Sequence, residues 1–167
     1  MICEWCQGPA PIGKRGPAPK FCSGRCRVAA HRASRRLPVA LTSRAAWTRR
    51  DGKRPIQCDG SPASSTDPAT WATFTEVHAS AVGDGFGVML GSGLGCYDLD
   101  HVSDAEARAF IATIPEPVIY AERSMSGDGV HVFIAADEAR GWKRKIDGIH
   151  VERYARERFI ATTLNRF

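Results

Sequence analysis

The stretch Gly91-Ser-Gly-Leu-Gly-Cys-Tyr-Asp-Leu-Asp-His101 constrains this chain more than any other, because a glycine turn feeds an apolar strand that ends in two carboxylates one residue apart. Successive side chains on a strand alternate faces, so Asp98 and Asp100 share one face while Leu99 turns into the core. Parallel carboxylates repel each other unless a cation sits between their oxygens. Mg²⁺ or Mn²⁺, hard ions that take carboxylate, water and phosphate oxygen, suit such a pair. Two solvated acids at a strand end give the same pattern, and the rest of the chain has to decide between the two.

Charge is split unevenly along the 167 residues. The first 54 carry +11 and the remainder −6, within a net charge of +5. A strongly basic head on an acidic body suits a polyanion such as nucleic acid on the head and cations on the body. A length of 167 residues accommodates one ordinary domain and a small appendage. No run of about 18 apolar residues occurs, and Met1-Ile-Cys-Glu-Trp5 lacks the charged-then-apolar layout of a signal peptide. The expectation is a cytoplasmic protein with no membrane partner.

The head, residues 1–36, opens with Cys3-x-x-Cys6 and continues to Cys22-Ser-Gly-Arg-Cys26. Two close pairs of cysteines, each on a turn, can converge on one metal, and in a cytosolic chain they read as a structural Zn²⁺ site. Ser23 is a good N-cap for a helix that carries Arg25, Arg27, Arg32, Arg35 and Arg36, the expected nucleic-acid contacts. His31 lies five residues beyond Cys26 and is left as a surface or phosphate-facing residue. The head resembles small zinc-ribbon or treble-clef modules, in which metal holds the fold and a basic helix touches nucleic acid or protein.

Residues 37–52 read as a linker and 53–167 as the main domain. There, Lys53 to Cys58 is a short strand, and Lys53 and Arg54 stand beside a Ser-rich loop where they could hold phosphates. Asp67 caps a helix beginning at Pro68, with Trp71, Phe74, Val77 and Ala81 as its apolar stripe. Phe86 to Leu90, the turn Gly91-Ser-Gly93 and Leu94 to Asp100 read as a hairpin. Ser103-Asp-Ala-Glu106 is a capping box for a helix whose Ala107, Phe110, Ile111 and Ile114 face inward. Val118 to Glu122 and Val130 to Ile134 are strands around the turn Ser124 to Gly129, with His131 and Phe133 on one face and Val130, Val132 and Ile134 on the other. The Gly/Ser turn offers free N–H groups to an anion, so His131 behind it is a candidate phosphate contact. Two last strands, from Gly148 to Tyr154 and from Arg158 to Thr163, are joined by a charged turn. Glu152 is the natural third carboxylate, and three acids with a phosphate contact are a minimum apparatus for two-metal phosphoryl transfer.

Lys53-Arg-Pro, Ala63-Ser-Ser-Thr-Asp-Pro-x-x-Trp71, Gly95-Cys-Tyr-Asp-Leu-Asp-His101, Ser124-x-Ser-Gly-x-Gly-x-His131 and Val151-Glu-x-Tyr154 with Arg158-Phe stand in that order. Over residues 50 to 166 the set resembles the bifunctional primase-polymerase domain of phages and plasmids, in the archaeo-eukaryotic primase superfamily. The resemblance implies an α+β fold, an RRM-like catalytic core with an adjoining α/β unit and the active site between them. It implies that Asp98, Asp100 and Glu152 hold Mg²⁺ or Mn²⁺ and that His131 binds nucleotide, with Ser126, Gly127, Gly129 and Arg158 around it. The expected reaction is primer synthesis on a single-stranded DNA template from nucleoside triphosphates, in a phage- or plasmid-encoded protein working with a separate helicase. In this chain Tyr154-Ala155 stands where relatives often have Tyr-Asp, Gly129 stands where many have Ser, and the sequence stops at Phe167 soon after the third motif, as a split-gene product, fragment or compact subunit would. An inactive primase-like DNA-binding protein and a metal-dependent nuclease are the alternative readings.

Overall fold

The computed structural model describes residues 1–11, 19–34 and 37–167, with the side chains of residues 31–34 left aside. Arg35 and Arg36 therefore lie outside the described residues, as do the side chains of His31 and Arg32. The chain forms two compact units, Met1–Leu37 and Pro38–Phe167. In the first, α1 (Gly24–Ser34) starts where Ser23 Oγ accepts the Cys26 N–H at 3.2 Å, the cap its sequence position suggests. Arg25 and Arg27 are exposed on it.

The second unit holds two antiparallel sheets. One has the order β2 (Arg54–Ile56), β1 (Trp47–Asp51), β3 (Gly85–Met89), β9 (Phe159–Thr162). The other runs β5 (Val118–Arg123), β6 (Val130–Ala135), β4 (Leu94–Asp100), β8 (Ile149–Tyr154), β7 (Trp142–Ile146). Residues 37–52 are thus no linker. A helical turn, α2 (Val39–Thr42), precedes β1, whose Trp47 is fully buried, donates its indole N–H to Leu41 O at 3.1 Å and meets Phe74 edge-on. A buried aromatic of this size fixes the segment into the core of the first sheet.

The helix expected from Pro68 is interrupted. Asp67 caps a 3₁₀ turn (Pro68–Thr70), the chain extends again, and α3 (Phe74–Ala79) starts at its own capping box, Thr73 with Glu76. Two competing N-terminal signals six residues apart divide one helix into two pieces. Val77 is buried, whereas Ala81 lies beyond the helix and is exposed.

The Gly91-Ser-Gly93 turn does not make a hairpin of its flanks. All three residues have positive φ (133°, 50° and 85°), and Gly91 and Leu94 exchange both backbone hydrogen bonds. Both edges of β3 are already taken, by β1 and β9, so β4 departs into the second sheet. Close pairing of β3 with β9 also explains Gly87, where a Cβ would stand 2.3 Å from Ile160 O.

In the second sheet one face packs on α4 (Asp104–Ile111), which begins at the anticipated capping box Ser103/Glu106. Tyr97, Leu99, Val130, Val132, Ile134 and Val151 with Ala107 form this core, and Phe110, Ile111 and Ile114 pack against it. Burying them supplies the apolar drive for the sheet. Its other face carries the buried Cys96, Tyr120 and Phe133 at one end and ionisable side chains at the other.

A charged row across the second sheet

Cross-strand partners in an antiparallel sheet share a face. The register sets Asp98 opposite His131 on β6 and opposite Glu152 on β8, His131 opposite Glu122 on β5, and Glu152 opposite Lys143 on β7. Five ionisable residues from five strands therefore form one row, Glu122, His131, Asp98, Glu152, Lys143. Asp100 lies on the same face two residues along from Asp98.

Asp98 sits at the middle of the row. Burial pushes its carboxyl upward, and Asp100 and Glu152 push the same way against the opposing charges of His131 and Arg158. Its Oδ1 is buried without a hydrogen-bond partner among the described residues, 3.6 Å from His131 Nε2. Such an oxygen is costly unless a ligand completes it. A divalent cation on Asp98 and the exposed Asp100 would supply that completion, and an all-carboxylate donor set suits Mg²⁺ or Mn²⁺.

Glu152 is already paired. Burial works against its charge, but hydrogen bonds from Lys143 and from Tyr154 Oη, the latter at 2.6 Å, hold its carboxyl below the ordinary range. The Lys143 contact pushes its ammonium upward, and burial, helped by the bond to Glu152, pushes the Tyr154 phenol upward. Glu152 is thus beside Asp98, as expected, with both its oxygens engaged by side chains of its own hairpin.

Glu122 was not anticipated. It is completely buried and accepts the Thr163 N–H at 3.2 Å and the Leu164 N–H at 2.9 Å, and its Oε1 lies 3.1 Å from His131 Nδ1. It therefore fixes the ring orientation of His131 and turns Nε2 toward Asp98. Strand alternation places Glu122 correctly, but nothing local to Val118-Ile-Tyr-Ala-Glu122 points to donors from residues 163 and 164.

A cleft of about 480 Å³ runs along this face and is bounded by both sheets. Asp98, Asp100, His131, Ser126, Arg158 and Lys53 line it. Arg54 instead pairs with Asp51 at 3.0 Å. The Ser124 to Gly129 loop closes on itself through Ser124 N to Gly129 O and Gly127 N to Ser124 O, at 2.9 and 3.1 Å. Ser126 Oγ donates to Asp128, which also meets His101 Nδ1 at 2.6 Å. Gly129 accepts no side chain, since a Cβ there would stand 2.6 Å from Leu99 O. A serine at that position would not fit, and Ser124 and Ser126 are the loop serines that line the cleft.

In the first unit the sulfurs of Cys3, Cys6, Cys22 and Cys26 all lie within 4.8 Å of one another. Zn–S bonds of about 2.3 Å in a tetrahedron put sulfurs about 3.8 Å apart, and Cys6–Cys22 and Cys22–Cys26 are 3.6 and 3.3 Å. The cluster fits a zinc ion. Backbone hydrogen bonds, the largest from Cys6, lower Cys3 to about 6, while the Cys26 thiol does most to raise Cys22 to about 12.

The family model for the N-terminal part of bifunctional DNA primase/polymerases matches residues 28–155. This chain belongs to that family. The DNA primase-polymerase of Nitratiruptor phage NrS-1 is 33% identical over 74% of this chain. The chain spans about one fifth (20%) of that relative's length. The matched region of the primase/polymerase family contains Asp98, Asp100, His131 and Glu152, the residues that the second sheet brings side by side. No helix among the described residues is long and apolar enough to cross a membrane.

Proposed function

We propose that the second unit is a template-directed nucleotidyltransferase that makes primers on single-stranded DNA from nucleoside triphosphates. The observation that carries this reading is the row of Glu122, His131, Asp98 and Glu152, whose His131 and Asp98 line a cleft together with Asp100, Lys53 and Arg158. Carboxylates for cations and cationic side chains for phosphates are the parts that phosphoryl transfer requires. The core is read as RRM-like. Its order β5-β6-β4-β8 has β4 and β6 at the centre, with α4 covering one face, and β7 follows β6 where a second helix would be expected.

In the reaction a 3′-hydroxyl oxygen bonds to the α-phosphorus of the incoming nucleotide as the bond to the bridging oxygen of the β-phosphate breaks. Pyrophosphate leaves, and the hydroxyl proton passes to solvent. Asp98 and Asp100, with Glu152 once Lys143 releases it, would hold Mg²⁺ or Mn²⁺, which when bound lowers the cost of ionising the hydroxyl and neutralises the leaving charge. Arg158, Lys53 and the Ser126 loop hold the triphosphate. Glu122 keeps His131 turned toward the same phosphates. The zinc-loaded head, through Arg25, Arg27 and the rest of its helix, would hold template DNA, and a separate helicase in a phage or plasmid replication system would supply it.

The test is synthesis of labelled primers on single-stranded DNA with Mg²⁺ or Mn²⁺. Products that depend on template and on all required nucleotides support the proposal. Template binding without synthesis would identify an inactive primase-like protein, and template shortening a nuclease.

A further inference from the structure

A second cleft, about 430 Å³, meets the first at Asp100. Its walls are Asp100, Glu152, Lys143, Lys145 and His150, so it opens on the Glu152 side of Asp98, whereas the first cleft opens on the His131 side. The register explains the lining. Lys145 lies opposite His150, and His150 opposite Asp100, forming a second row on the same face beside Lys143, Glu152 and Asp98. Lys143 is committed to Glu152. Lys145 and His150 are exposed and form no ion pair among the described residues.

Nucleotidyl transfer brings two phosphate-bearing reactants to one pair of carboxylates, and in-line displacement requires them to arrive from different sides. The first cleft has what a triphosphate needs, a loop with two serines and two long cations, Lys53 and Arg158. The second has no such loop. Its cations stand on β7 and β8, and β7 is the outermost strand of the sheet, so nothing beyond it in the sheet walls the cleft off. A polymer needs such an exit, while a mononucleotide does not.

Resting on the polymerase reading above, we propose that the second cleft is the subsite for the strand whose 3′-hydroxyl attacks, with Lys145 and His150 on its backbone phosphates. The 3′ end then reaches Asp100 from the Glu152 side, and the strand leaves across β7.

The zinc-loaded chain of 167 residues is tested with a primer–template bearing a photoreactive group on the primer phosphate next to the 3′ end, and separately with the group on the template. The expected primer crosslink lies within residues 142–150. Lys145→Glu and His150→Ala should each weaken primer–template binding several-fold and lower the salt slope of log K by roughly 0.7 to 0.9, one phosphate contact. They should raise the KM for primer termini while the KM for nucleotide stays within twofold. Crosslinking of the primer to residues 53–65 or 124–131, crosslinking of only the template to 142–150, or a raised nucleotide KM with unaltered primer binding overturns the subsite. The crosslink and the binding slope are read without turnover. A primer found at 142–150 in a protein that elongates nothing would therefore uphold the subsite and defeat the polymerase reading.

Discussion

Nδ1 of His131 lies 3.1 Å from Oε1 of Glu122, a carboxylate with no exposed surface. The same carboxylate accepts two backbone N–H groups from the segment after β9, so the orientation of a ring in the second sheet depends on residues 163 and 164.

If Glu122 acts by holding His131, Glu122→Gln should raise the nucleotide KM about tenfold, with kcat affected less. Adding it to His131→Ala should change the nucleotide KM little further, as expected for two residues in one chain of contact. Additive losses in the double variant would show that Glu122 works by another route. Glu122→Ala, which strands three donors, should also cost about 2 to 4 kcal/mol of stability in chemical unfolding.

Asp98 tests site against scaffold. Its carboxyl is raised above the ordinary 3.8 by burial and by Asp100 and Glu152. A raised carboxyl contributes stability only below its unfolded value and loses it as pH climbs through the folded one, so at neutral pH the ionised Asp98 opposes folding. Asp98→Asn should therefore leave Tm unchanged or slightly higher while lowering primer synthesis at least about 10²-fold. Full synthesis in this variant would remove Asp98 from the chemistry, and a fall in Tm would make it a structural residue.

Acid stability should respond to a pair outside the cleft. Glu116 accepts both Arg153 Nε and Nη2, at 3.2 and 2.8 Å, and the Tyr97 hydroxyl at 3.1 Å. Although burial alone would raise it, these donors hold its carboxyl below the ordinary 4.5. The stability from a lowered carboxyl is present above 4.5 and is lost as pH falls through the folded value. Glu116→Gln should cost about 1 to 3 kcal/mol at pH 7, and the gap to wild type should narrow steadily below pH 4.5 in urea unfolding. A gap that stays constant down to pH 2.5 would mean that packing, not charge, sets the cost.

The head gives a metal test. Cys22→Ser with Cys26→Ser should abolish zinc binding and unfold the first unit, because so few residues cannot bury a core of their own. The thermal transition of the second unit should remain. Affinity for single-stranded DNA should fall and its salt dependence flatten. Retained zinc would refute the ligand set, and lost zinc with unchanged DNA affinity would make the head a protein-docking module.

What could be read from sequence was local chemistry at close spacing. Cys3, Cys6, Cys22 and Cys26 carry their ligand pattern in two short pairs, Ser103 and Glu106 their capping box, and Asp98 and Asp100 their shared face. Harder to see was anything set by competition between distant strands. Gly91 to Gly93 reads as a hairpin until β9, some 65 residues later, takes the edge of β3 that β4 would have used. β7 was overlooked because Trp142-Lys-Arg-Lys-Ile146 is apolar only at its ends, as suits an edge strand. The signal for it was Asp147-Gly148, both at positive φ (49° and 88°), the chemistry of a two-residue hairpin turn. Lys143 and Lys145 were hidden with it.

The return of β9 to β3 has a consequence for synthesis in the cell. Until residues 159–162 leave the ribosome, β3 offers an unpaired edge, and Glu122 has no backbone donors until 163 and 164 follow. A nascent chain that has already made Asp98 and His131 thus carries an open sheet edge, and edges of this kind recruit other strands. Slow translation near residue 155 should therefore lower the soluble yield more than the same pause near residue 40, before any part of β3 has been made.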